Sequence, residues 1–371
     1  MASSTLALGF VEKTPGWLMA SRFFPCKVGG KPAWLDLKDL PTSGETSCQK
    51  CGNPLVFLLQ VYADLDIDPH CYHRVVFVFM CNDSSCHQTQ DSSPFKVFRS
   101  QLSRKNEYYP YKRPVKRPDW KTELNVGKFG KLKICRVCGC PGTMKCSGCG
   151  KVSYCSKNHQ TMDWKARHKK ECNESNFKYS YQEDERILSS LLLPQGKIII
   201  KEDDGEVSDS DDEEGLEEVD EKKELEKIQA LEKSGKAMSL KDLEDCSTEP
   251  EDQVTEDKNW KRWQKVVKYA KHQVIRYQHT GNPLWISTNN IPGEDQIPKC
   301  EDCGSKRVFE FQIMPQLLRY LKLNESVDEK SGPKKSIDWG ILAVYTCEKS
   351  CGSSVNESKA YKSEFIWKQD H

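Results

Sequence analysis

Short apolar runs rich in β-branched and aromatic residues occur near both ends of the chain, bounded by glycine, proline and asparagine. The N-terminal stretch contains LVFLLQVY and RVVFVFMC, and the C-terminal stretch contains RVFEFQIM and GILAVYTC. Runs of this length and composition predict buried strands. The pattern therefore predicts β-rich regions at the two ends of the sequence, separated by a long middle of different character.

Two segments of the remaining sequence carry helical patterns. Apolar residues recur at helical spacing from about Asp257 to Tyr277, which predicts a helix that packs one stripe against the C-terminal β region. That stripe consists of Trp260, Trp263, Val267, Ala270 and Val274. The run ILSSLLLP predicts a shorter helix ended by Pro194, and a role as a partner-binding element stays open for it.

A run of acidic residues precedes the longer helix. Residues 202–221 contain 13 acidic residues in 20 positions, a density that repels itself and cannot bury apolar surface. We expect a disordered linker here, which either is merely solvated or tethers the basic surface of a partner. Ser208 and Ser210 each have an acidic residue three positions later, so both suit an acidophilic kinase.

The composition restricts the class of protein. The chain has 371 residues, enough for two or three domains, with 37% hydrophobic residues and a mean hydropathy of -0.72. Fifty-six basic and 55 acidic residues nearly cancel, so the whole chain carries no charge pattern typical of nucleic-acid binding. The first residues lack the basic and apolar regions of a signal peptide. We therefore expect a protein of the cytoplasm and nucleus, where its 18 cysteines favour metal over disulfides.

Eight potential metal ligands lie between Cys135 and Cys172. They form the pairs Cys135/Cys138, Cys146/Cys149, Cys155/His159 and His168/Cys172. A two-residue gap lets a turn direct two sulfurs at one zinc ion. A three-residue gap is one helical turn, so we expect each of the other two pairs to place both ligands on one face of a helix. Eight ligands suit two closed structural sites, which leave no open position for hydrolysis.

This 38-residue pattern resembles the MYND zinc finger, in which the ligand pairs interleave. The resemblance assigns Cys135, Cys138, Cys155 and His159 to one zinc and Cys146, Cys149, His168 and Cys172 to the other. The commonest family pattern has cysteine in place of His159, and Cys140 is a spare that could replace Cys138. MYND fingers generally bind short proline-containing peptides, and the groove positions match Gln160 and Trp164. Trp164 either anchors such a peptide or covers the zinc core.

The regions flanking the finger contain the same landmarks at nearly fixed offsets. Gly30-Lys31-Pro32-Ala33-Trp34 and Gly281-Asn282-Pro283-Leu284-Trp285 are each followed by a proline seven residues after the tryptophan. A CxxCG motif comes next, then a glutamine nine residues beyond its second cysteine, Gln60 or Gln312. We interpret the two regions as a duplicated unit. The equivalent positions of Trp34 and Trp285 predict core packing for both.

Each repeat also contains a second pair of cysteines after its last apolar run. The N-terminal set is Cys48, Cys51, Cys81 and Cys86, and the C-terminal set is Cys300, Cys303, Cys347 and Cys351. Each set could close one further zinc site, giving four zincs in the chain. The alternative is that these cysteines are reduced core residues without metal. Cys71 and Cys246 match neither role.

With the finger and both flanks placed, the chain resembles the programmed cell death protein 2 family almost from end to end. The motifs that carry the resemblance are GGKPAWLDL, CQKCGNPLVFLLQVYA, HQTMDW, QVIRYQHTGNPLWIS and CEDCG through TCEKSC. The resemblance implies an adaptor or dedicated chaperone for the small ribosomal subunit protein uS5, acting in small-subunit biogenesis. The acidic insert before the C-terminal half is unusually long for this family.

Together these features predict an α+β, mainly β fold, in which two repeats form a pseudo-symmetric body around an inserted two-zinc finger. The predicted regions are the N-terminal repeat (1–103), a basic linker (104–134), the MYND finger (135–172), a helical and acidic disordered linker (173–256) and the C-terminal repeat (257–371).

Two other functions remain as alternatives. The stretch from Arg104 to Lys133 holds ten basic residues against three acidic ones, with Tyr108, Tyr109, Tyr111 and Trp120 interleaved. It could follow a phosphate backbone while its aromatics stack on bases. The alternative function is therefore a nucleic-acid-associated zinc-finger regulator of transcription or cell death that acts through MYND peptide binding. The prolines of this stretch fit an extended linker more simply. No glycine-rich phosphate loop, nucleophile elbow or HExxH motif is present, so we expect no enzymatic activity.

Overall fold

A closed β-barrel forms the centre of the protein, as seen in a computed structural model that describes residues 5–65, 69–112, 133–174, 192–203, 257–323, 337–352 and 359–371. The predictions made for Ser208, Ser210, Trp120 and Cys246, and for most of the acidic stretch, lie outside these residues. The described parts of both repeats and the finger belong to one compact unit.

All of the described strands pair in antiparallel fashion. In chain order they are β1 (Ala7–Glu12), β2 (Lys27–Val28), β3 (Val56–Tyr62), β4 (His73–Met80), β5 (Phe95–Leu102), β6 (Met144–Lys145), β7 (Ser153–Tyr154), β8 (Gly196–Glu202), β9 (Ile275–Tyr277), β10 (Arg307–Ile313), β11 (Ile341–Cys347) and β12 (Tyr361–Gln369). Strands β6 and β7 form a separate two-stranded sheet in the finger, and the others form the barrel. The prediction of a mainly β body is confirmed.

The order of the strands shows that the body is pseudo-symmetric. Around the barrel it runs β1-β8-β2-β3-β4-β5-β12-β11-β10-β9 and returns to β1. Exchanging the strands β1 to β5 with their counterparts β8 to β12 gives the same ring in reverse. The duplication predicted from the sequence is therefore a two-fold relation, with its axis passing between β1 and β8 and between β5 and β12.

Two local details repeat in both halves. The register between β3 and β4 shifts at Phe57/Leu59, and that between β10 and β11 shifts at Phe309/Phe311, one bulge in each repeat. The buried glutamines explain why both repeats place a glutamine nine residues after the CxxC motif. Gln60 accepts a hydrogen bond from the backbone N–H of Ala33 at 2.8 Å, and Gln312 accepts one from the N–H of Leu284 at 2.5 Å. Each glutamine thus ties its strand to the loop that carries the repeat's tryptophan.

The first strand of each repeat crosses to the other repeat. Strand β1 pairs with β9, and β8 pairs with β2, while β1 and β8 pair with each other. This exchange closes the barrel and leaves no free edge on either side of it. Strand β8 lies within residues 173–256, which the sequence analysis assigned to the linker. Its KIIIK run is too short for periodicity alone to distinguish from linker sequence.

The core of the barrel is apolar and draws on both repeats. Its members include Val28, Leu58, Val61, Val76, Val78, Ile275, Phe311, Ile313, Leu342, Val344 and Ile366. Next to this cluster lies a buried ion pair between the repeats, in which the Arg74 guanidinium donates two hydrogen bonds of 2.8 Å to the Glu310 carboxylate. Neither side chain is exposed to solvent. Pairing is what permits two charges at this depth.

The environment of Glu310 sets its protonation. Burial alone would raise the pKa of this carboxyl, but the charge of Arg74 and hydrogen bonds from His279 and Arg74 lower the pKa well below its ordinary value. A second buried pair joins Arg99 of β5 to Glu364 of β12 at 2.6 Å. Both pairs therefore cross between the repeats.

Helices are few among the described residues. The α-helices are α1 (Lys157–Asp163), α2 (Lys169–Glu171), α3 (Lys258–Tyr269) and α4 (Gln316–Leu321), with a π-helical turn at Trp164–His168 and 3-10 turns at Gly16–Met19, Ser21–Phe23, Pro69–Cys71, Ser84–Cys86 and Glu294–Gln296. None of them is long and apolar enough to span a membrane.

The predicted helix from Asp257 to Tyr277 is wrong in its second half. Helix α3 ends at Tyr269, and β9 begins at Ile275. The physical reason is pairing: the N–H of Val274 donates to the carbonyl of Gly9, and the carbonyl of Val274 accepts from Met314. The backbone at Val274 joins the barrel, while Trp263 and Val267 pack on Leu284 and Met314 as a helical stripe would.

Candidate metal centres

Four clusters of potential metal ligands occur among the described residues, and each brings together residues distant in sequence. They are Cys48/Cys51/Cys81/Cys86, Cys135/Cys138/Cys155/His159, Cys146/Cys149/His168/Cys172 and Cys300/Cys303/Cys347/Cys351. Within each cluster the ligand atoms lie within 4.8 Å of one another. The structure groups the residues in the sets that the spacing and the MYND resemblance indicated.

Most separations between the donor atoms match tetrahedral zinc, and one shorter separation, 3.0 Å, joins the sulfur of Cys155 to Nδ1 of His159. Bonds of about 2.3 Å from zinc to sulfur place two sulfurs about 3.8 Å apart, and a sulfur and an imidazole nitrogen about 3.5 Å apart. Sulfur pairs in the four clusters lie 3.5 to 3.8 Å apart, as in Cys51/Cys81, Cys138/Cys155, Cys146/Cys172 and Cys303/Cys347. Disulfides would require about 2.0 Å. The donor sets therefore fit four structural zinc ions.

The CxxCG turns of all four clusters have the same backbone geometry. In each, the glycine N–H donates to the carbonyl of the first cysteine, at 2.9 Å for Gly52 and Gly304 and at 3.0 Å for Gly139. These glycines have φ values of +71°, +71° and +74°, and Gly150 has +64°. Only glycine adopts this left-handed conformation without strain, which is why it follows each CxxC pair.

Two histidines in the finger present different ring nitrogens to the two clusters. Nδ1 of His159 lies 3.6 Å from the sulfur of Cys135, and Nε2 of His168 lies 3.5 Å from that of Cys149. Ser156 caps α1 by accepting from the N–H of His159, which fixes the start of the helix. Cys155 precedes this cap, so only one member of its pair is helical. The expectation of two ligands on one helix face is wrong there.

Cys138 completes the first finger cluster, and the spare Cys140 does not take its place. The finger is further held by a buried polar network. Tyr154 donates to Asp163 at 2.7 Å, and Arg167 donates to the other oxygen of the same carboxylate at 2.7 Å. The first contact joins α1 to strand β7 of the small sheet, and the second links α1 to the turn that continues it, so the two ligand sets belong to one module.

Comparisons with known proteins agree with this architecture. Residues 5–116 match the model of the N-terminal domain of programmed cell death protein 2, residues 135–172 match the MYND finger, and residues 257–370 match the C-terminal putative domain of programmed cell death protein 2. Programmed cell death protein 2 from Rattus norvegicus is 39% identical over 367 residues, covering 99% of this chain and 96% of the rat protein. The chain belongs to the programmed cell death protein 2 family.

Two further relatives, one similar over nearly the whole chain and one over a short part of it, extend the comparison. Programmed cell death protein 2 from Bos taurus is 38% identical over 98% of this chain and 96% of its own length. A Schizosaccharomyces pombe protein named probable 20S rRNA accumulation protein 4 is 25% identical over 121 residues, which are 30% of this chain and 28% of the yeast protein. No solved structure matches the chain.

The finger of this family member is docked on the N-terminal repeat. The indole N–H of Trp34 donates to the carbonyl of Gly139 at 2.8 Å, and the ammonium of Lys31 donates to the carbonyl of Arg136 at 2.6 Å. Val137 and Tyr154 of the finger join Trp34 in one buried cluster. Trp34 thus packs in the core as predicted, but no sequence pattern indicates that its indole N–H contacts the finger.

The proposed peptide positions of the finger lie on α1 and the turn that follows it. Trp164 is 37% exposed, and the edge of its ring packs against His168 with the centroids 5.8 Å apart. Gln160 lies one helical turn earlier and is half-buried. One side of Trp164 therefore packs on His168, a candidate zinc ligand, and the other side faces solvent. Peptide binding at these two residues stays a prediction.

Two of the aromatic residues in the basic stretch have structural roles. Tyr108 donates to the carboxylate of Asp36 at 2.9 Å, and Tyr109 donates to the carbonyl of Leu35 at 2.8 Å. Both rings are buried against the N-terminal repeat. They cannot stack on bases without unfolding this contact, which weakens the nucleic-acid alternative. Tyr111 is 62% exposed and lies under the Arg104 guanidinium.

Proposed function

We propose that this protein is a non-catalytic adaptor that acts as a dedicated chaperone for the small ribosomal subunit protein uS5 during small-subunit biogenesis. The observation that carries the proposal is the fusion of the finger and both repeats into one body pinned at four candidate zinc sites. Such a body presents a preformed surface to a partner and loses little entropy on binding it.

The role proposed for zinc is structural. Every cluster supplies four cysteine or histidine donors, which completes a tetrahedral site and leaves no ligand position for a substrate. The finger spans only residues 135–172, too few to bury a sufficient core alone, so metal binding would supply its folding free energy. Removing zinc should therefore release or unfold the finger rather than abolish a reaction.

A ribosomal role draws support from the relatives. The yeast protein that shares 121 aligned residues with this chain is named for the accumulation of 20S rRNA. A free ribosomal protein carries basic surfaces that attract RNA and wrong partners, and acidic residues of an adaptor can shield them. Residues 202–221, with 13 acidic residues in 20, carry such charge in this chain. A chaperone of this kind would work in the cytoplasm and accompany its client to the nucleus.

The test is co-expression of the full chain with uS5 and, separately, with other basic small-subunit ribosomal proteins. Of the ribosomal proteins tested, we expect only uS5 to become soluble. It should also co-purify with the chain at a salt concentration that removes non-specific charge pairing. A variant with Cys149→Ser and Cys303→Ser, which disrupts a cluster in the finger and one in the C-terminal repeat, should lose this effect. If all basic proteins are rescued equally, or none is, the proposal fails.

A second candidate function is peptide binding by the MYND finger, a protein-interaction module. The solvent-facing side of Trp164 favours it, since an exposed tryptophan on a rigid module can anchor a peptide. Titration with a proline-containing peptide should quench the fluorescence of wild type, and Trp164→Ala should lose the binding. Unchanged affinity in Trp164→Ala would exclude this site.

A further inference from the structure

The two loops that carry Trp34 and Trp285 are equivalent in position but not in environment. Both are tied to their repeats by the same glutamine contact, through Ala33 to Gln60 and through Leu284 to Gln312. Trp34 is only 1% exposed, whereas Trp285 is half-buried. Trp285, which has the same loop position as Trp34, therefore has part of its ring uncovered.

The difference extends along both loops. Leu40 is 6% exposed, and its equivalent Ile291, six residues after Trp285, is 39% exposed. Lys31 is 8% exposed, and its equivalent Asn282 is exposed. On the N-terminal repeat the finger contacts Lys31 and Trp34, through the carbonyls of Arg136 and Gly139. On the C-terminal repeat α3 packs on Leu284 and donates from Asn259 to the carbonyl of Ser287, but it leaves Trp285 half-buried and Ile291 exposed.

Hydrogen bonding shows the same contrast at the tryptophans. The indole N–H of Trp34 donates to the carbonyl of Gly139, whose positive φ belongs to a zinc-binding turn. The indole N–H of Trp285 has no acceptor among the residues that the structure describes. A partner that presented a carbonyl at a tight turn would supply the missing contact.

The uncovered surface is aromatic and continuous. We define the C-terminal aromatic face as Trp285, Ile291, Ile297, Phe365 and Trp367. Four of these side chains pack on Phe309, Ala343 and Tyr345 of the sheet, and the indole of Trp367 donates to the carbonyl of Asn290, next to Ile291. Partly exposed aromatic rings on a fixed sheet are typical of binding hot spots.

The charge beside this face identifies the kind of partner. The segment from Gly293 to Cys303 carries Glu294, Asp295, Glu301 and Asp302 against one lysine, Lys299. The corresponding segment of the N-terminal repeat, from Thr42 to Cys51, carries one glutamate and one lysine. Only Asp302 of the four acidic residues has an ion pair in the described chain, with Lys362 at 3.0 Å. The face is thus bordered by acidic charge that its counterpart lacks.

We propose that the C-terminal aromatic face binds a basic polypeptide segment that presents a main-chain carbonyl at a turn, in the position that the finger occupies on the N-terminal repeat. The proposal rests on the chaperone function above, where the segment belongs to uS5. Trp285 is the anchor and donates to the carbonyl. The acidic border attracts the Lys and Arg side chains beside the turn.

The test uses the full-length chain and an array of peptides that covers every small-subunit ribosomal protein. Wild type should bind peptides rich in Lys and Arg, with a turn-forming glycine or proline. Trp285→Ala should bind them about thirtyfold more weakly, the loss typical of a central tryptophan. Ile291→Asp places a charge at an exposed position that the fold does not need. This variant should bind the peptides as weakly as Trp285→Ala does, while its zinc content and melting temperature stay those of wild type.

Two matched variants show whether the effect belongs to this face. Trp260→Ala removes a tryptophan that is 37% exposed, on α3, and should bind as wild type does. Glu294→Lys with Asp295→Lys should weaken binding about tenfold and flatten its salt dependence, because basic peptides are attracted through space. Glu12→Lys, on β1, should not.

The outcomes separate this proposal from the choice of client. If wild type selects peptides of another ribosomal protein and Trp285→Ala loses them, the face is correct and uS5 is wrong. If uS5 peptides bind equally to wild type, Trp285→Ala and Ile291→Asp, the client is correct and the face is wrong. The face is also wrong if no basic peptide binds, or if Trp285→Ala merely abolishes a concentration-dependent dimer of the chain.

Discussion

The loops around Trp34 and Trp285 are fixed to equivalent strands by Gln60 and Gln312, yet one is covered by the finger and the other is partly open. The zinc clusters, the bulges and the CxxCG turns also repeat between the two halves. Duplication has therefore kept the framework and changed what packs on it. In the N-terminal repeat the docking surface serves the fold, and in the C-terminal repeat we infer that it serves a partner.

The interior shows a second difference between the repeats. Arg74 and Arg99 come from the N-terminal half, and Glu310 and Glu364, which pair with them, come from the C-terminal half. The residue equivalent to Glu310 in the other repeat is Leu58, and the residue equivalent to Arg74 is Gly340. Neither is charged, so two copies of one half could not reproduce the pair between Arg74 and Glu310. The repeats have become complementary, which holds them together as one barrel.

Breaking the buried pair should have the largest effect. Glu310→Leu leaves Arg74 buried without its partner, which we expect to lower the free energy of unfolding by about 3 to 5 kcal/mol. Urea unfolding followed by circular dichroism measures it. The double variant Arg74→Met with Glu310→Leu should recover most of the loss, because it removes both charges. A double variant as unstable as the single one would mean that the pair does not hold the repeats together.

The paired glutamines test whether the two loops are held alike. Gln60→Ala and Gln312→Ala each leave a buried loop N–H without its acceptor, so each should lower the free energy of unfolding by about 1 to 3 kcal/mol. Gln264→Ala, on the exposed side of α3, is the control and should have almost no effect. A cost at one position only would show that the equivalence of the loops is superficial.

His73 should make the N-terminal repeat sensitive to acid. Its ring stacks on Phe24, with centroids 4.1 Å apart, and burial together with the charge of Arg104 lowers its pKa to about 4. Because the folded pKa lies below the unfolded value of about 6.5, the unfolded state takes up the proton first, and stability falls as the pH drops from about 6.5 to 4. The loss should be on the order of 2 kcal/mol after allowance for partial solvation. His73→Phe should remove it from urea unfolding curves measured across this window, and an unchanged slope would contradict the assignment.

The docking of the finger can be tested with two glycines. Gly139→Ala and Gly150→Ala both place a side chain at positive φ, at a cost of about 1 to 2 kcal/mol. A Cβ at Gly139 would lie 3.1 Å from Cβ of Lys31, whereas one at Gly150 meets nothing within 4 Å. Only Gly139→Ala should therefore loosen the finger and expose Trp34 to acrylamide quenching. Equal quenching in both variants would mean that Gly139 makes no specific contact.

Much of this architecture was predictable because zinc ligands and tight turns constrain sequence locally. The CxxCG motifs, the ligand grouping and the repeated Gly-x-Pro-x-Trp and glutamine positions all depend on short-range spacing. The crossing of β1 and β8 between the repeats was not predictable, since pairing between distant strands leaves no local pattern. The same holds for the contact of Trp34 with the finger, which joins residues 105 positions apart. Helix α3 was overextended because Val274 fits both a helical stripe and a strand.

If zinc pins the duplicated body as well as the finger, metal analysis of the purified full-length chain should find four zinc ions per chain in wild type. Cys51→Ser and Cys303→Ser, at equivalent positions of the two repeats, should each leave three. Two zinc ions in wild type, unchanged in both variants, would confine the metal to the finger and contradict the account.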